Sequence, residues 1–234
     1  MKTLSRRSFL KKGALYGVTL LTSLAGGRYY MKEVEPDWVE INQYTYSHLL
    51  IPPSFNQTRI VQFNDTHIGF QYDLTDLKKT VQTINDFKPD LICFAGDLLD
   101  NPDEYSVPSE LYSLLNSLKA PLGKYAVYGN HDHGGYGTEL YEQTMDKCGF
   151  KVLKNASDIV QKNGESMLIA GVDDSSLGAP DIAQALSGKP RNLFTLLLSH
   201  APDYADEAAR YPVHLQLSGH SHGGQVQIPL VGPL

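Results

Sequence analysis

Short apolar runs alternate with amphipathic stretches through the central part of the chain. The apolar runs at residues 59–65, 90–97 and 124–130 each predict a buried strand, because each is short and ends in polar residues. Between them, residues 74–87 and 109–118 place apolar side chains at helical spacing. This alternation of strands and helices predicts crossover connections and therefore a parallel sheet.

The second half of the chain carries a different pattern. Residues 150–174 contain short strands around the Asn163-Gly164 pair, which favours the tight turn of a β-hairpin. Two further apolar strands, at residues 192–200 and 213–220, stand on either side of a short helical stretch at 203–210. The pattern as a whole predicts two sheets that face each other, with helices on the outside.

The first 27 residues differ in composition from the rest and predict an export signal. Residues 1–25 hold five basic residues and no acidic one, and a short apolar run follows the charged stretch. The segment SRRSFLKK, residues 5–12, resembles a twin-arginine signal. That resemblance implies the twin-arginine translocase as a partner and a location in the bacterial cell envelope. Whether the signal is cleaved near residue 25 or kept as an anchor stays open.

Composition and charge limit the class of function. A chain of 234 residues, 41% of them hydrophobic, is long enough to bury one sizeable core. The formal charge of −6 hides an asymmetry, because the residues after position 25 carry 15 basic and 26 acidic side chains, a balance of −11. Such an acidic body is poorly suited to phosphate backbones, so we expect no nucleic-acid partner. We also expect a monomer, and neither Cys93 nor Cys148 supports a disulfide.

Polar residues of a few types follow each apolar strand. In chain order they are Asp65, His67, Asp97, Asn130, His131, Asp132, His200, His220 and His222. Because ligands of α/β sheets gather at the carboxyl ends of strands, we expect these side chains to meet at one edge. Carboxylates, an amide and imidazoles without a thiolate suit zinc, iron, manganese, nickel or magnesium. Two such ions can clamp the attacking and leaving oxygens of a phosphoryl transfer, with a bridging water as nucleophile.

The order of these blocks resembles that of the calcineurin-like metallophosphoesterases. The matching blocks are Asp65-x-His67, Gly96-Asp97, the GNHD of residues 129–132, His200 and the GHSH of residues 219–222. Together with the twin-arginine segment, the form GHSHGGQ resembles an exported bacterial branch of that family. The resemblance implies a four-layer αββα sandwich of two mixed sheets flanked by helices. We expect this domain at residues 58–234, after a linker and early strand at 28–57 whose alternating positions lie at 38–52.

The resemblance also implies a role for each residue. The residues implied to hold one metal are Asp65, His67 and His222, and those implied to hold the other are Asn130, His200 and His220. Asp97 would bridge two divalent ions, which are manganese, zinc, iron or magnesium, and a hydroxide between the ions would attack the phosphoester in line. His131 would contact the phosphate and protonate the leaving group, and Asp100 lies where some relatives orient this histidine.

The substrate stays open between a phosphomonoester, a diester and the pyrophosphate of a nucleotide-linked lipid. A non-catalytic scaffold is the alternative outside enzymes, and the complete set of motifs argues against it. Residues 69–73 and 133–141 are the loops that we expect to select the substrate. Candidates for stacking on a ring are Tyr72, Tyr136 and Tyr141, and His133 is a candidate for the pocket mouth. His48 and His214 match no motif.

Two further expectations concern the glycines next to candidate ligands and the strands at the carboxyl end of the chain. Gly96, Gly129 and Gly219 each precede a candidate ligand, where the backbone must approach the metals closely. Family members usually continue beyond the last histidine block with strands that complete the second sheet. If such strands are missing here, the edge strand predicted at 225–230 would be exposed.

Overall fold

Two four-stranded sheets form the frame of residues 46–234, the second of two units into which the chain divides; the first is residues 1–45. The computed structural model describes residues 6–33, 39, 41–103, 106–133, 137–224, 227–228 and 232–233. The predicted edge strand at 225–230 is described only at Gln227–Ile228 (β9), which pairs antiparallel with Gly232–Pro233 (β10).

The first unit contains one long helix, Arg6–Glu33 (α1). Large apolar side chains along it, such as Phe9 and Leu21, are exposed. The predicted export signal covers this helix up to residue 27, and its first five residues lie outside the described part of the chain. No helix among the described residues is long and apolar enough to cross a membrane.

The first sheet is entirely parallel and has the order β1-β2-β3-β4. Its strands are Ile60–Phe63 (β1), Leu91–Phe94 (β2), Lys124–Ala126 (β3) and Phe150–Val152 (β4). The helices between them are Leu74–Asp86 (α2), Ser109–Asn116 (α3) and Gly137–Lys147 (α4). At the start of α2, the Asp73 carboxylate accepts hydrogen bonds from the backbone N–H groups of Thr75 and Asp76. The parallel sheet and the crossover helices α2 and α3 confirm the prediction from the apolar pattern.

Helix α4 occupies part of the segment that was predicted as a loop at 133–141, and that prediction is wrong from residue 137 onward. Tyr141 and Met145, four residues apart, are buried on one face of α4. The Tyr141 hydroxyl donates to the Val127 carbonyl at 2.7 Å, so this tyrosine belongs to the core and not to a rim. Tyr136 lies outside the described residues.

The second sheet is mixed and has the order β5-β6-β7-β8. Its strands are Ala156–Lys162 (β5), Glu165–Gly171 (β6), Thr195–Leu198 (β7) and Leu215–Leu217 (β8), and its helices are Ile182–Ala185 (α5) and Ala205–Ala208 (α6). Asn163 and Gly164 have φ angles of 51° and 83°, which confirms the predicted hairpin between β5 and β6. The second sheet is mixed, whereas the described strands of the first sheet all pair in parallel because crossovers join them, as the apolar pattern predicted.

The prediction of an early strand at 38–52 is also wrong. None of the described residues in that range belongs to a strand. Alternating apolar positions do not by themselves give the backbone a partner strand. Instead the Tyr46 hydroxyl donates to the His214 carbonyl at 2.5 Å, and Ile51 packs against the core between the sheets.

Three apolar clusters separate four layers. Ile92 and Phe94 of β2 face the helices α2 to α4, whereas Leu91 and Cys93 of the same strand face the second sheet. A third cluster lies between β6, β7 and the short helices α5 and α6. Helix, sheet, sheet and helix layers therefore follow one another, as the αββα prediction requires. Cys93 and Cys148 are free and lie in different clusters.

Candidate metal centre

The side chains predicted as ligands lie together at the carboxyl ends of five strands. Three of these strands, β1 to β3, belong to the first sheet, and β7 and β8 belong to the second. The ligand candidates form two groups in which nitrogen and oxygen atoms lie within 4.8 Å of one another, and His67 forms a third such group with Asp100 and His131. The site therefore lies where the two sheets meet.

The first group contains Asp65, His67 and His222. The Nε2 atoms of His67 and His222 are 3.2 Å apart. Asp65 Oδ1 lies 4.0 Å from His67 Nε2 and 3.6 Å from His222 Nε2. The His220 backbone N–H donates to both carboxylate oxygens of Asp65, at 3.1 and 2.9 Å, and so fixes this carboxylate in position.

The second group contains Asp97, His200 and His220, and Asn130 joins it. His200 Nε2 lies 3.1 Å from His220 Nδ1 and 3.1 Å from Asn130 Oδ1. His200 is fully buried, and its Nδ1 donates to the Ala95 carbonyl at 2.7 Å. That hydrogen bond directs the other ring nitrogen, Nε2, into the group.

Asp97 lies in the second group, and one of its oxygens also lies close to the first group. Its Oδ2 atom is 3.3 Å from His200 Nε2 and 3.5 Å from His67 Nε2. Its other oxygen, Oδ1, accepts a hydrogen bond from the His131 backbone N–H at 2.9 Å. The carboxylate is therefore held with one oxygen facing the protein and the other facing both groups.

The donor set fits divalent cations. In a neutral His200 ring, Nδ1 carries the proton, so a lone pair on Nε2 faces the oxygen atoms of Asp97 and Asn130. Electron pairs that converge in this way repel one another unless a proton or a metal ion lies between them. Two nitrogens, each bound about 2.1 Å from one ion, lie roughly 3.0 to 3.4 Å apart. The nitrogen separations of 3.2 Å between His67 and His222 and of 3.1 Å between His200 and His220 fall in that range.

The Asp97 carboxylate favours positive charge in the second group. Burial opposes the charge on His200, but the hydrogen bond and charge of Asp97, with the Ala95 carbonyl, outweigh it and raise the pKa of His200 to about 9. Burial likewise opposes the charge on Asp97, yet His200 and the His131 N–H lower the pKa of this carboxyl. Burial, with the neighbouring rings of His131 and His222, lowers the pKa of His67.

Backbone strain is concentrated at the same place. Nine described residues other than glycine have positive φ angles, and five of them are ligand candidates. These five are Asp65, His67, Asp97, His220 and His222, with φ between 40° and 65°. This conformation costs about 1 to 2 kcal/mol per residue, and such strain clusters at functional sites.

Glycine is needed at the positions beside two carboxylates. A Cβ atom on Gly129 would collide with Asp97 Oδ1, and one on Gly219 would lie 2.5 Å from Asp65 Oδ2. Gly96, with φ of 99°, packs against the Gly129 backbone and the His200 ring. The chain therefore approaches the candidate ligands more closely than any side chain would allow.

His131 and Asp100 lie on the open side of the first group. The His131 side chain is 36% exposed, and its ring stands at 87° to the His67 ring. Its Nδ1 lies 2.5 Å from the main-chain carbonyl of Asp100, whereas the Asp100 carboxylate is 4.0 Å away. That carboxylate is nearer to His67 Nδ1, at 3.4 Å. A carboxylate behind a histidine is the usual support of a metal-binding ring.

Three supporting side chains had no role in the sequence prediction. Gln62 Nε2 donates to Asn64 Oδ1 at 2.7 Å and to the Ser218 carbonyl at 2.6 Å, and Asn64 Nδ2 donates to Asp65. Gln62 is a polar residue inside an apolar strand, which is the signal that could have revealed it.

Asp132 was noted only as part of a motif. Burial and the charge of Asp97 raise its pKa to about 7, although backbone N–H groups oppose this.

The other histidines lie apart from the two groups. His133, the candidate for the pocket mouth, is nearly buried with Nε2 2.7 Å from Asp173 Oδ1. It therefore connects the loop after β3 to the loop after β6. His48 and His214 pack against each other and against Phe194, beside the amino ends of β7 and β8.

Comparison with known proteins places this arrangement in a family. A family model described as calcineurin-like phosphoesterase matches residues 58–224. The chain is 46% identical to the uncharacterized metallophosphoesterase YkuE of Bacillus subtilis (strain 168), over all of this chain and 82% of that protein. It is 31% identical to the phosphodiesterase YaeI of Escherichia coli (strain K12), over 98% of this chain and 82% of that one.

A more distant relative is named for its substrate. The UDP-2,3-diacylglucosamine pyrophosphatase LpxG of Chlamydia trachomatis is 24% identical, over 86% of this chain and 74% of that protein. Three other relatives are longer, and the chain spans only 38% to 43% of their length. The chain belongs to the calcineurin-like phosphoesterases, a metal-dependent family of hydrolases that act on phosphoester bonds.

Proposed function

We propose that the domain hydrolyses a phosphoester at a centre of two divalent cations that share Asp97. The observation that carries this proposal is the position of Asp97 Oδ2, within 3.5 Å of a ring nitrogen from each ligand group. Manganese, zinc, iron and magnesium all suit the oxygen and nitrogen donors. When bound, two such cations polarise the phosphoester and lower the pKa of a water molecule between them.

The chain's own residues divide the remaining tasks. Asp65, His67 and His222 would hold one cation, and Asn130, His200 and His220 the other. His131 would serve the substrate, because the Asp100 carbonyl occupies its Nδ1 and leaves Nε2 free on the exposed side. When the ring carries a proton on both nitrogens, Nε2 can donate a hydrogen bond to a phosphate oxygen and pass that proton to the leaving oxygen.

The test compares Asp97→Asn with Asp158→Asn. Asp158 is a matched control, since its carboxylate pairs with Lys151 and Tyr125 outside the centre. We expect the wild-type protein and the control to bind two metal ions per chain and to hydrolyse a phosphoester. Asp97→Asn should bind metal more weakly and lose most of the activity. A variant at position 97 that keeps both ions and full activity would refute the bridging role.

A pyrophosphate in a nucleotide-linked lipid is the second candidate substrate. The relative LpxG is named for such a substrate, and Phe70, three residues after His67, is 71% exposed. The test is a panel of a phosphomonoester, a phosphodiester and UDP-2,3-diacylglucosamine, each assayed with manganese, zinc, iron and magnesium. Preference for the lipid by at least tenfold in kcat/KM supports this candidate. Equal or lower rates than with the diester exclude it as the preferred substrate.

We also propose export of the folded chain through the twin-arginine translocase to the cell envelope, where the domain acts as a monomer. Support comes from the paired Arg6 and Arg7 in a segment that is basic and free of acidic residues. Replacing both with lysine keeps the charge and should leave the protein in the cytoplasm. Replacing Lys11 and Lys12 with arginine is the control and should leave export intact. Export of the double-lysine variant at the normal rate would contradict the proposal.

A further inference from the structure

We propose that Asp132 is a positioning residue that fixes Asp97 between the two groups of candidate ligands. This inference rests on the two-cation centre proposed above. Asp132 itself would not bind a cation, because both of its carboxylate oxygens are already used by the backbone.

The Asp132 carboxylate accepts three backbone hydrogen bonds. Its Oδ2 accepts from the N–H groups of Asp97 and Gly129, both at 2.8 Å, and its Oδ1 accepts from Leu98 N–H at 3.1 Å. The side chain is buried, with only 1% of the residue exposed. Asp132 therefore links the turn after β2 to the turn after β3 through hydrogen bonds to the backbone of both.

The backbone after β2 needs such an acceptor. Asp97 has a φ angle of 59°, so the chain leaves the extended conformation and turns away from the sheet. The N–H groups of Asp97 and Leu98 consequently point into the protein, where Asp132 accepts them. Without this acceptor, the N–H groups of Asp97 and Leu98 at the left-handed turn would lose the hydrogen bonds that they make to Asp132.

The two aspartates hold each other's loops in a reciprocal way. Asp132, on the loop after β3, binds the backbone of Asp97, while Asp97 Oδ1 binds the backbone of His131. The second contact orients the Asp97 carboxylate, and the first places its Cα atom. Only Asp97 Oδ2 then remains to face His67 and His200.

The experiment replaces Asp132 with asparagine, which keeps the volume. The amide oxygen of Asp132→Asn can still accept from Asp97 and Gly129, but its NH₂ group would face the Leu98 N–H. We expect affinity for Mn²⁺, measured by calorimetry and by bound metal per chain, to fall by about 10- to 100-fold, as for other residues that support metal ligands.

Asp174→Asn is the matched control. Asp174 is also fully buried in a loop after a strand, and its Oδ2 accepts from the backbone N–H groups of Ser176 and Leu177 at 2.8 and 2.7 Å. Its loop carries none of the candidate ligands. A merely structural role for Asp132 predicts that both variants lower the unfolding temperature and that neither changes Mn²⁺ affinity, which would overturn the proposal.

A double-mutant cycle with Asp97→Asn separates positioning from simple loss of negative charge. If Asp132 acts through Asp97, adding Asp132→Asn to Asp97→Asn should change Mn²⁺ affinity no further. If Asp132→Asn lowers Mn²⁺ affinity by the same factor in the wild-type protein and in Asp97→Asn, the proposal is overturned. If Asp132→Asn is insoluble, Asp132→Ser replaces it in every comparison. A wild-type protein that binds fewer than two ions would instead contradict the proposed function itself.

Discussion

His131 and the ligand candidates have different surroundings, although all of them belong to the same site. The ring nitrogens of His200 and His220 face each other at 3.1 Å, whereas His131 Nδ1 is taken by the Asp100 carbonyl. We therefore expect His131→Ala to lower kcat by roughly 10²- to 10⁴-fold without loss of bound metal. Parallel measurements of kcat and metal content check this, with His48→Ala as the control. Loss of metal in His131→Ala would instead make this histidine a ligand.

Asp100 gives a second prediction for a single residue. Its main-chain carbonyl, which any residue would provide, holds His131, and its carboxylate lies 3.4 Å from His67 Nδ1. Asp100→Ala should therefore weaken metal binding by about 10- to 100-fold, while kcat at saturating metal changes little. Titration of activity against metal concentration measures both quantities. A large fall in kcat at saturation would show that the carboxylate acts on His131 after all.

Residue types and order were enough to predict which side chains meet in the site. Asp65, His67 and Asp97 each follow an apolar strand, and this pattern alone places them at a sheet edge. The supporting role of Asp132 was not predictable in the same way. Its partners are backbone N–H groups, which every residue has, so no pattern of side chains reveals them.

At the scale of elements, the turns after the strands matter more than the strands. A Cβ atom on Gly219, just after β8, would lie 2.5 Å from Asp65 Oδ2. Gly219→Ala should therefore displace Asp65 and lower both metal content and activity. Gly178→Ala is a matched control, since its Cβ would lie 2.6 Å from the Asp173 carboxyl carbon, outside the two ligand groups.

Both variants should lose stability by about 1 to 3 kcal/mol, because each pushes a new atom against a buried carboxylate. Urea unfolding measures this loss, and only Gly219→Ala should also lose metal. Equal metal content in the two variants would mean that the turn after β8 can move without disturbing the site.

The elements that were predicted wrongly show what local patterns omit. Helix α4 begins after a glycine-rich stretch, so its start resembles a loop, but Tyr141 and Met145 bury one face against the first sheet. The segment 38–52 has the alternation of a strand, yet none of its described residues is part of a strand. In both cases the deciding partner is distant along the chain, and spacing within the segment cannot reveal it.

At the scale of the whole domain, polar contacts join the loops that follow strands of the two sheets. One of them pairs His133 with Asp173 at 2.7 Å. Burial raises the energy of the Asp173 charge, but the Ala179 N–H, His133 and Lys154 outweigh it and lower the pKa of this carboxyl. A lowered pKa stabilises the folded state above the unfolded pKa of about 3.9, and this contribution is lost as the pH falls through the folded value.

Asp173→Asn should therefore be less stable than wild type at pH 7, by about 1 to 3 kcal/mol. The difference should begin to shrink below about pH 4, where the carboxyl of the unfolded chain takes up a proton, and it should be lost only as the pH falls through the lower pKa of the folded state. Urea unfolding at pH 7, 5 and 3.5 measures this, with the exposed Asp206→Asn as the control. A difference that stays constant down to pH 3.5 would contradict the role of the charge.

Which sheet supplies which ligand has a consequence for folding as well as for chemistry. Asp65, His67 and Asp97 follow strands of the first sheet, whereas the remaining three imidazoles of the groups follow strands of the second. A cation bound by both sets is a cross-link between the sheets, so its binding free energy adds to the cohesion of the sandwich. At 100 times the dissociation constant, that addition is about 2.7 kcal/mol. The availability of metal ions would then govern how long the folded protein persists, in addition to how fast it works.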